Sequence, residues 1–116
     1  GGWQNCLHAR NVIIPLPLFR DRIPVIVDRV TTLCGPGELI DVIVTERGIA
    51  INPRRQDLID SVKGKGLPLL SIEELKDIAE SICGKPEKAA FEDRVVAAIK
   101  WVDGTVIDAV RQVKKK

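Results

Sequence analysis

The segment "LIDVIVT", Leu39 to Thr45, constrains the fold of this chain more than any other. Apolar side chains occupy both of its alternating sets of positions, so a strand formed here would be apolar on both faces. Such a strand is typical of a sheet that is covered by helices on both sides. The sequence therefore predicts an α/β fold with this strand near its centre.

The chain supplies little helix to cover that strand. At 116 residues it is long enough for one core, but its first half holds a single modest helical pattern, with Asn52 as the expected N-cap and Pro53 as the first helical residue. An uncovered apolar face of roughly several hundred Å² favours association. We therefore expect the chain to be a piece of a longer polypeptide or to depend on a partner.

Two more strands are predicted before this segment. "NVIIPLPLF", Asn11 to Phe19, contains Pro15 and Pro17, and each proline would delete a ladder hydrogen bond from a central strand. We place this strand at an edge or a bend. The stretch Val25 to Leu33 is rich in β-branched residues and predicts a second strand.

The region after Pro68 predicts a helix and then a hairpin. Ser71 and Glu74 have the spacing of a capping box, and apolar residues repeat at helical spacing as far as Ile82. The run "RVVAAIKWVDGTVIDAVRQV" follows as two β-rich segments joined by Asp103-Gly104, which favours a type I′ turn.

Composition excludes several classes of protein. No apolar run approaches the ~20 residues that span a bilayer, and we expect no secretory leader. The single His8, together with Cys6, Cys34 and Cys83 at wide separations, lacks the spacing of a metal site. The chain also has no tyrosine to stack on bases, and its formal charge is only +2, so we expect no nucleic-acid partner. The cysteines suit reduced thiols in the cytoplasm.

Glu46 is the candidate catalytic residue, because ligands bind at the carboxyl ends of strands in open α/β sheets. A carboxylate there could act as a nucleophile or a base. It could equally form an ion pair with Arg47, Arg54 or Arg55, and the sequence leaves both alternatives open.

Arg54 and Arg55 are candidate anion-binding residues. We place them in the first turn of the helix that follows Pro53, where positive charge opposes the helix dipole, and two guanidiniums beside free N–H groups would attract a carboxylate or phosphate. The alternative is that both reach solvent or acidic neighbours. Gly1 and Gly2 could let a ligand approach the backbone, although a cloning remnant gives the same letters.

Three quoted stretches carry a resemblance to a known family. "RIPVIVDRVTTLCGPGELIDVIVTERGIAINPRRQDLID", "GLPLLSIEEL" and "VVAAIKWVDGTVIDAVRQV" together resemble the C-terminal part of the citrate lyase alpha subunit, the citrate CoA-transferase. The similarity runs in order along essentially the whole chain. It implies part of an α/β domain of CoA-transferase type, with a mostly parallel sheet over residues 1–68 and the capped helix and hairpin packing on the same domain over residues 69–116.

The resemblance also implies an activity. The alpha subunit exchanges the acetyl group on the acyl carrier protein's thioester for citrate and releases acetate, through a mixed anhydride in a ternary complex and without a covalent glutamyl enzyme. Gly1 and Gly2 match the family's paired glycines, and Arg54 and Arg55 fall in the "NPRRQDL" motif, so these four residues are the expected contacts to citrate or to coenzyme A.

The implied partners are the beta subunit, which cleaves the citryl thioester, and the gamma subunit, the acyl carrier protein. Citrate and an acetyl thioester are the implied substrates, and the thioester is carried by coenzyme A or by a phosphopantetheine-type arm. No covalently bound cofactor and no metal are implied. We expect the 116-residue chain alone to be inactive. The alternative is a non-catalytic assembly module whose hairpin and helix dock to other subunits.

Overall fold

The computed structural model describes residues 2–115. The helices are α1 (Gly2–His8), α2 (Gln56–Val62) and α3 (Ile72–Cys83). The strands are β1 (Ile13–Pro15), β2 (Phe19–Arg20), β3 (Ile23–Pro24), β4 (Val42–Val44), β5 (Ile49–Ile51), β6 (Phe91–Lys100) and β7 (Val106–Val113). A short 3-10 turn, Gly37–Leu39, precedes β4. The result is a mixed α/β fold, as the sequence predicts.

The central sheet has three strands in the order β1-β4-β5. β1 runs parallel to β4, with Ile13 opposite Val42, but β4 runs antiparallel to β5, with Val42 opposite Ile51. The prediction of a mostly parallel sheet is therefore wrong. The cause is the turn after β4, where the Thr45 hydroxyl donates to the Gly48 carbonyl at 2.8 Å and accepts the Gly48 N–H at 3.1 Å. That turn returns the chain as β5, a strand that the sequence analysis did not predict between β4 and the second helix.

The proline-containing segment lies at the edge of this sheet, which confirms its predicted position. The strand predicted over Val25 to Leu33 is wrong, because the structure has no strand between β3 and β4. Side-chain contacts hold this segment instead. Asp28 accepts a hydrogen bond from Lys76 of α3 at 2.7 Å, and Leu33 donates its N–H to Asp108 of β7 at 2.7 Å.

The second helix begins later than predicted. Asn52 does not cap it: its Oδ1 accepts the Arg54 N–H at 3.1 Å and its Nδ2 donates to the Ile40 carbonyl at 3.0 Å, so Asn52 closes a turn beside β4. Arg55 occupies the N-cap position. Placing Arg54 and Arg55 in the first helical turn was therefore wrong, although Arg55 still lies at the helix N-terminus, where Asp57 of the first turn offsets its charge.

The third helix begins as predicted, and it supplies much of the core. The Ser71 hydroxyl accepts the Glu74 N–H and the Glu74 carboxylate accepts the Ser71 N–H, both at 3.0 Å, which confirms the capping box. Leu75 and Ala79 on its inner face are completely buried. They pack in one cluster with the following residues from the rest of the chain: Leu18, Ile26 and Ala50.

β6 and β7 form the predicted hairpin as a separate antiparallel pair. Its turn is not type I′, because Gly104 has a positive φ of 88° whereas Asp103 does not. Instead the Gly104 N–H bonds to the Trp101 carbonyl at 2.9 Å, and the Trp101 N–H bonds to the Thr105 carbonyl at 2.8 Å. This is the pattern of a three-residue loop with a bulge.

The first helix packs on the tip of this hairpin. The rings of Trp3 and Trp101 meet edge to face, with their centroids 6.1 Å apart and their planes at 79°. Gly35 lies under the Trp3 ring, where a Cβ atom would come within 2.5 Å of it. The aromatic pair therefore links the beginning of the described chain to the hairpin near its end.

Candidate functional site

The buried carboxylate of Asp41 is the centre of the polar cluster that contains both candidate arginines. Its Oδ2 accepts the Val12 N–H at 2.8 Å, and its Oδ1 lies 3.0 Å from Nη1 of Arg55 and 3.7 Å from Nη2 of Arg54. Burial would raise the pKa of Asp41, but the Val12 N–H and the Arg55 guanidinium outweigh burial and hold the pKa below its ordinary value. Asp41 is therefore a fixed negative charge.

Arg55 is committed to contacts within the chain. Besides Asp41, its guanidinium donates to both carboxylate oxygens of Asp57 at 2.9 Å, to the Asn11 side chain at 2.9 Å and to the Arg10 carbonyl at 3.1 Å. Hydrogen bonds to Asp57 and Asp41 raise the pKa of Arg55, and the Arg55 hydrogen bond lowers the pKa of Asp57 to about 2. Only 17% of the Arg55 side chain is exposed. Its geometry fits a structural role.

Arg54 is more available to a ligand. Its side chain is 52% exposed, its distance to Asp41 is the longer one, and its Nη2 donates to the Glu38 carbonyl. Of the two arginines that the sequence singles out, Arg54 is the less committed, because its one ion pair within residues 2–115, with Asp41 at 3.7 Å, is longer than the Arg55–Asp41 pair at 3.0 Å.

Glu46 lies away from both arginines. It belongs to the turn that joins β4 to β5, whereas Arg54 and Arg55 follow the far end of β5, so the β4–β5 hairpin separates them. The Glu46 carboxylate accepts the N–H of the buried Leu18 at 3.0 and 3.2 Å. Among residues 2–115, its carboxylate has no ion pair with Arg47, Arg54 or Arg55. The ion-pair alternative for Glu46 is therefore not realised among residues 2–115, and its role as a catalytic carboxylate stays a prediction.

The glycine pair is only half described. Gly2 opens α1 and is exposed, with open space where a side chain would lie, whereas Gly1 falls outside the described residues. The structure does not bring Gly2 together with Arg54, Arg55 or Glu46 through any hydrogen bond within residues 2–115.

A cleft of about 450 Å³ opens beside Asp41. Apolar side chains from β4, β5 and the beginning of α3 form most of its wall, and Asp41, Asn52, Ser71 and Glu73 add polar groups. Its volume lies in the range of roughly 300–1,000 Å³ that is usual for small-molecule sites. With an ionised acid on its wall, the cleft suits an apolar or cationic group better than a free carboxylate.

Within the part of the chain that the structure describes, no three or more His, Cys, Asp or Glu side chains gather in a way that could hold a metal ion. No helix in residues 2–115 is both long and apolar enough to cross a bilayer. The cytoplasmic location and the lack of a nucleic-acid partner stay predictions.

Comparison with known proteins identifies the family. The sequence model of the family described as "Citrate lyase, alpha subunit" matches residues 1–113. The chain belongs to the citrate lyase alpha subunit family. Relatives named citrate lyase alpha chain include one from Klebsiella pneumoniae, 54% identical over 88% of this chain, and one from Haemophilus influenzae, 46% identical over 98% of it.

A solved structure agrees with this family membership. A crystal structure from Streptococcus mutans, described as an alpha subunit of citrate lyase in complex with citrate, matches with a TM-score of 0.96 and 45% identity over 99% of this chain. The match covers 22% of that chain and 20% and 23% of the two curated relatives, so this chain spans about a fifth of their length. The division at residue 68, the C-terminal position of the segment and the CoA-transferase type of fold stay predictions.

Sequence reasoning did not identify Asp41, the acid that pairs with both candidate arginines in this citrate lyase family chain. The signal was present in "LIDVIVT", because an acid inside a two-sided apolar strand must be paired or hydrogen-bonded when it is buried. Arg47 is the nearest cation in the sequence, but the structure pairs Asp41 with Arg54 and Arg55.

Proposed function

We propose that this chain is part of a citrate CoA-transferase, the alpha subunit of citrate lyase. The subunit exchanges the acetyl group of an acyl-carrier-protein thioester for citrate: acetyl thioester and citrate give citryl thioester and acetate. The observation that carries this proposal is the TM-score of 0.96 to a family structure described as a complex with citrate. Family membership over residues 1–113 supports it.

The partners follow from the same proposal. A beta subunit cleaves the citryl thioester, and a gamma subunit carries the thioester on a phosphopantetheine-type arm, for which coenzyme A can substitute. Because transfer passes through a mixed anhydride, the site must hold two acyl groups close together and stabilise an oxyanion. In this proposal the 116 residues form one segment of a domain of CoA-transferase type.

Among the candidate residues, Arg54 is best suited to bind a citrate carboxylate. Its side chain is half exposed, whereas Arg55 is held by Asp41 and Asp57. Gly1 and Gly2 supply backbone donors near the reacting carbonyl, and Glu46 serves to fix the Leu18 backbone rather than as a nucleophile.

The test of the activity is acetate release. A full-length alpha subunit that contains this segment, assembled with its beta and gamma partners, is mixed with acetyl thioester and citrate, and acetate is measured with time. Citrate-dependent release supports the proposal, and its absence from a folded complex refutes it. We expect no release from the 116-residue chain alone, since it spans about a fifth of its relatives. Turnover by that chain would contradict this expectation.

The test of the residue role compares two adjacent arginines. Arg54→Gln is expected to raise the KM for citrate with little change in stability, whereas Arg55→Gln is expected to lower stability first. Arg22→Gln, at an exposed position in the β2–β3 turn, is the matched control. An unchanged citrate KM in Arg54→Gln would leave Arg54 as surface charge.

A second candidate function is that of an assembly module without catalytic residues. The hairpin favours it, because Val95 and Val96 on β6 are each 55% exposed, and a two-stranded hairpin is only marginally stable without cover. Val96→Lys in the full-length subunit separates the two functions. Loss of subunit assembly with normal acetate release from the remaining complex would favour this candidate.

A further inference from the structure

A second pocket lies between the loop that follows β3 and the hairpin. It has a volume of about 230 Å³, and Arg29, Thr31 and Thr32 from the loop face Asp108 and Arg111 of β7 across it. The pocket shares no residue with the Asp41 cleft. None of the candidate residues from the sequence contributes to it.

Asp108, the acidic residue that lines this pocket, already accepts hydrogen bonds from the backbone. One oxygen of Asp108 accepts the Leu33 N–H and the other accepts the Ala109 N–H, each at 2.7 Å. These two hydrogen bonds, and then the charges of Arg29 and Arg111, lower the pKa of Asp108. Asp108 therefore serves to fix the loop on the hairpin, and its charge acts on both arginines without a close contact to either.

The two arginines have donors to spare. Within residues 2–115, the cations of all ion pairs are Arg54, Arg55 and Lys76, so neither Arg29 nor Arg111 has an acidic partner within 4.0 Å. Two guanidiniums and one acid leave the pocket with a net positive charge. Both arginines are exposed, and they come from segments that Asp108 ties together, so the backbone on the two sides of the pocket is held in place.

The shape of the donors favours phosphate over a carboxylate. A planar carboxylate pairs best with one guanidinium, whereas a tetrahedral phosphate presents oxygens in several directions to two guanidiniums and to hydroxyl donors. The volume is below the roughly 300–1,000 Å³ of pockets that enclose a whole small molecule. It therefore fits one charged group at the end of a longer ligand.

We propose that the pocket of Arg29 and Arg111 binds a phosphate group of the thioester substrate. The inference that this phosphate belongs to the thioester substrate rests on the proposed function. The inference that the ligand carries a phosphate rests on the pocket alone. The phosphate can come from free coenzyme A or from the phosphopantetheine arm of a carrier protein. In either source the thioester lies at the far end of a long flexible ligand, away from this pocket.

The test is a titration of the full-length alpha subunit, in which only this segment carries isotope labels, followed by backbone amide NMR; a dispersed spectrum shows that each variant folds. Coenzyme A, pantetheine 4′-phosphate, inorganic phosphate, pantetheine and citrate are added in separate experiments. We expect saturable shifts of the Thr31, Thr32 and Arg111 amides with the phosphate-containing probes and none with pantetheine. Saturation by pantetheine 4′-phosphate points to the carrier arm, and saturation by coenzyme A alone points to its nucleotide phosphates.

Arg29→Gln and Arg111→Gln are each expected to weaken coenzyme A binding by about tenfold or more, since each removes charge-assisted hydrogen bonds, and tenfold corresponds to about 1.4 kcal/mol. Arg22→Gln, which removes the same charge outside the pocket, is expected to leave binding unchanged. Equal binding of pantetheine, tighter binding of citrate than of phosphate, or an equal loss in Arg22→Gln would each overturn the proposal. Saturable phosphate binding in a chain whose full complex releases no acetate would sink the proposed function and keep this inference.

Discussion

The carboxylate of Asp41 and the guanidinium of Arg55 lie 3.0 Å apart and join the beginning of β4 to the beginning of α2. The Asp41 side chain is 6% exposed. The same carboxylate accepts the N–H of Val12, the residue that precedes β1. One buried acid therefore ties together the edge strand, the central strand and the motif that carries both candidate arginines.

Asp41→Asn is expected to lower the free energy of unfolding by about 1.5–3 kcal/mol, the range for hydrogen bonds to charged groups. The amide keeps the shape of the side chain but removes the negative charge opposite Arg55. It also places an N–H donor beside the Val12 N–H and the Arg55 guanidinium, which are donors themselves. Urea denaturation measures the change. Asp93→Asn, at an exposed position on β6, is the control and should change stability by less than about 0.5 kcal/mol. Equal effects in the two variants would contradict the role of Asp41.

Stability is expected to fall in acid because of Asp41 and Asp57. Both have a lower pKa in the folded chain than the value near 3.9 of an unfolded aspartate, and that of Asp57 is about 2. A depressed folded pKa gives stability that is complete above the unfolded pKa and is lost as pH falls through the folded one. Denaturation midpoints should therefore drop between about pH 4 and pH 2.

A matched variant checks this assignment. In Asp41→Asn the slope of stability against pH over that window should be smaller than in the unchanged chain, since one of the carboxyls with a depressed pKa is gone. Asp57 is 64% exposed, so salt should weaken its share of the slope. An identical slope in the variant would show that other carboxylates cause the loss.

Gly48→Ala is expected to destabilise the β4–β5 turn. A Cβ there would lie 2.7 Å from Cδ1 of Leu70 and 3.1 Å from the Pro68 carbonyl, which itself accepts the Ile49 N–H at 2.9 Å. Overpacking of this kind costs about 1–3 kcal/mol. Gly37→Ala, where a Cβ meets nothing within 4 Å, is the control. Thermal unfolding of the two variants should differ, and similar midpoints would show that Leu70 moves aside at no cost.

The sequence predicted the elements whose signals are local. The capping box of Ser71 and Glu74 needs only residues three apart, and it is present. The prolines at positions 15 and 17 placed their strand at an edge for a similar reason, because a missing N–H is a local property. The strand predicted over Val25 to Leu33 fails because propensity there competes with distant contacts, the bonds of Asp28 to Lys76 and of Leu33 to Asp108.

The candidate site was less predictable than the fold. Whether Arg54 or Arg55 is free depends on Asp41, which lies more than ten residues earlier, and on Asp57, whose pairing requires the helix to begin at Gln56 rather than at Pro53. The sequence correctly placed Glu46 at the end of β4. The turn at Thr45, however, makes β5 run antiparallel to β4, so Arg54 and Arg55 lie at the opposite end of the β4–β5 hairpin. To predict that Glu46 lies apart from the two arginines, the geometry of that turn would have to be known.

Gly35→Ala is expected to move Trp3 away from Trp101. A Cβ at Gly35 would lie within 2.5–2.7 Å of three atoms of the Trp3 indole, so the ring must shift and the edge-to-face pair at 6.1 Å must open. Such a pair contributes about 0.5–1.5 kcal/mol beyond its buried area. Because these are the only two tryptophans in the chain, near-ultraviolet circular dichroism and emission wavelength report the change directly. In a Trp3→Leu background the cost of Gly35→Ala should fall toward zero, and a cost that persists there would place the strain in the Gly35 backbone instead.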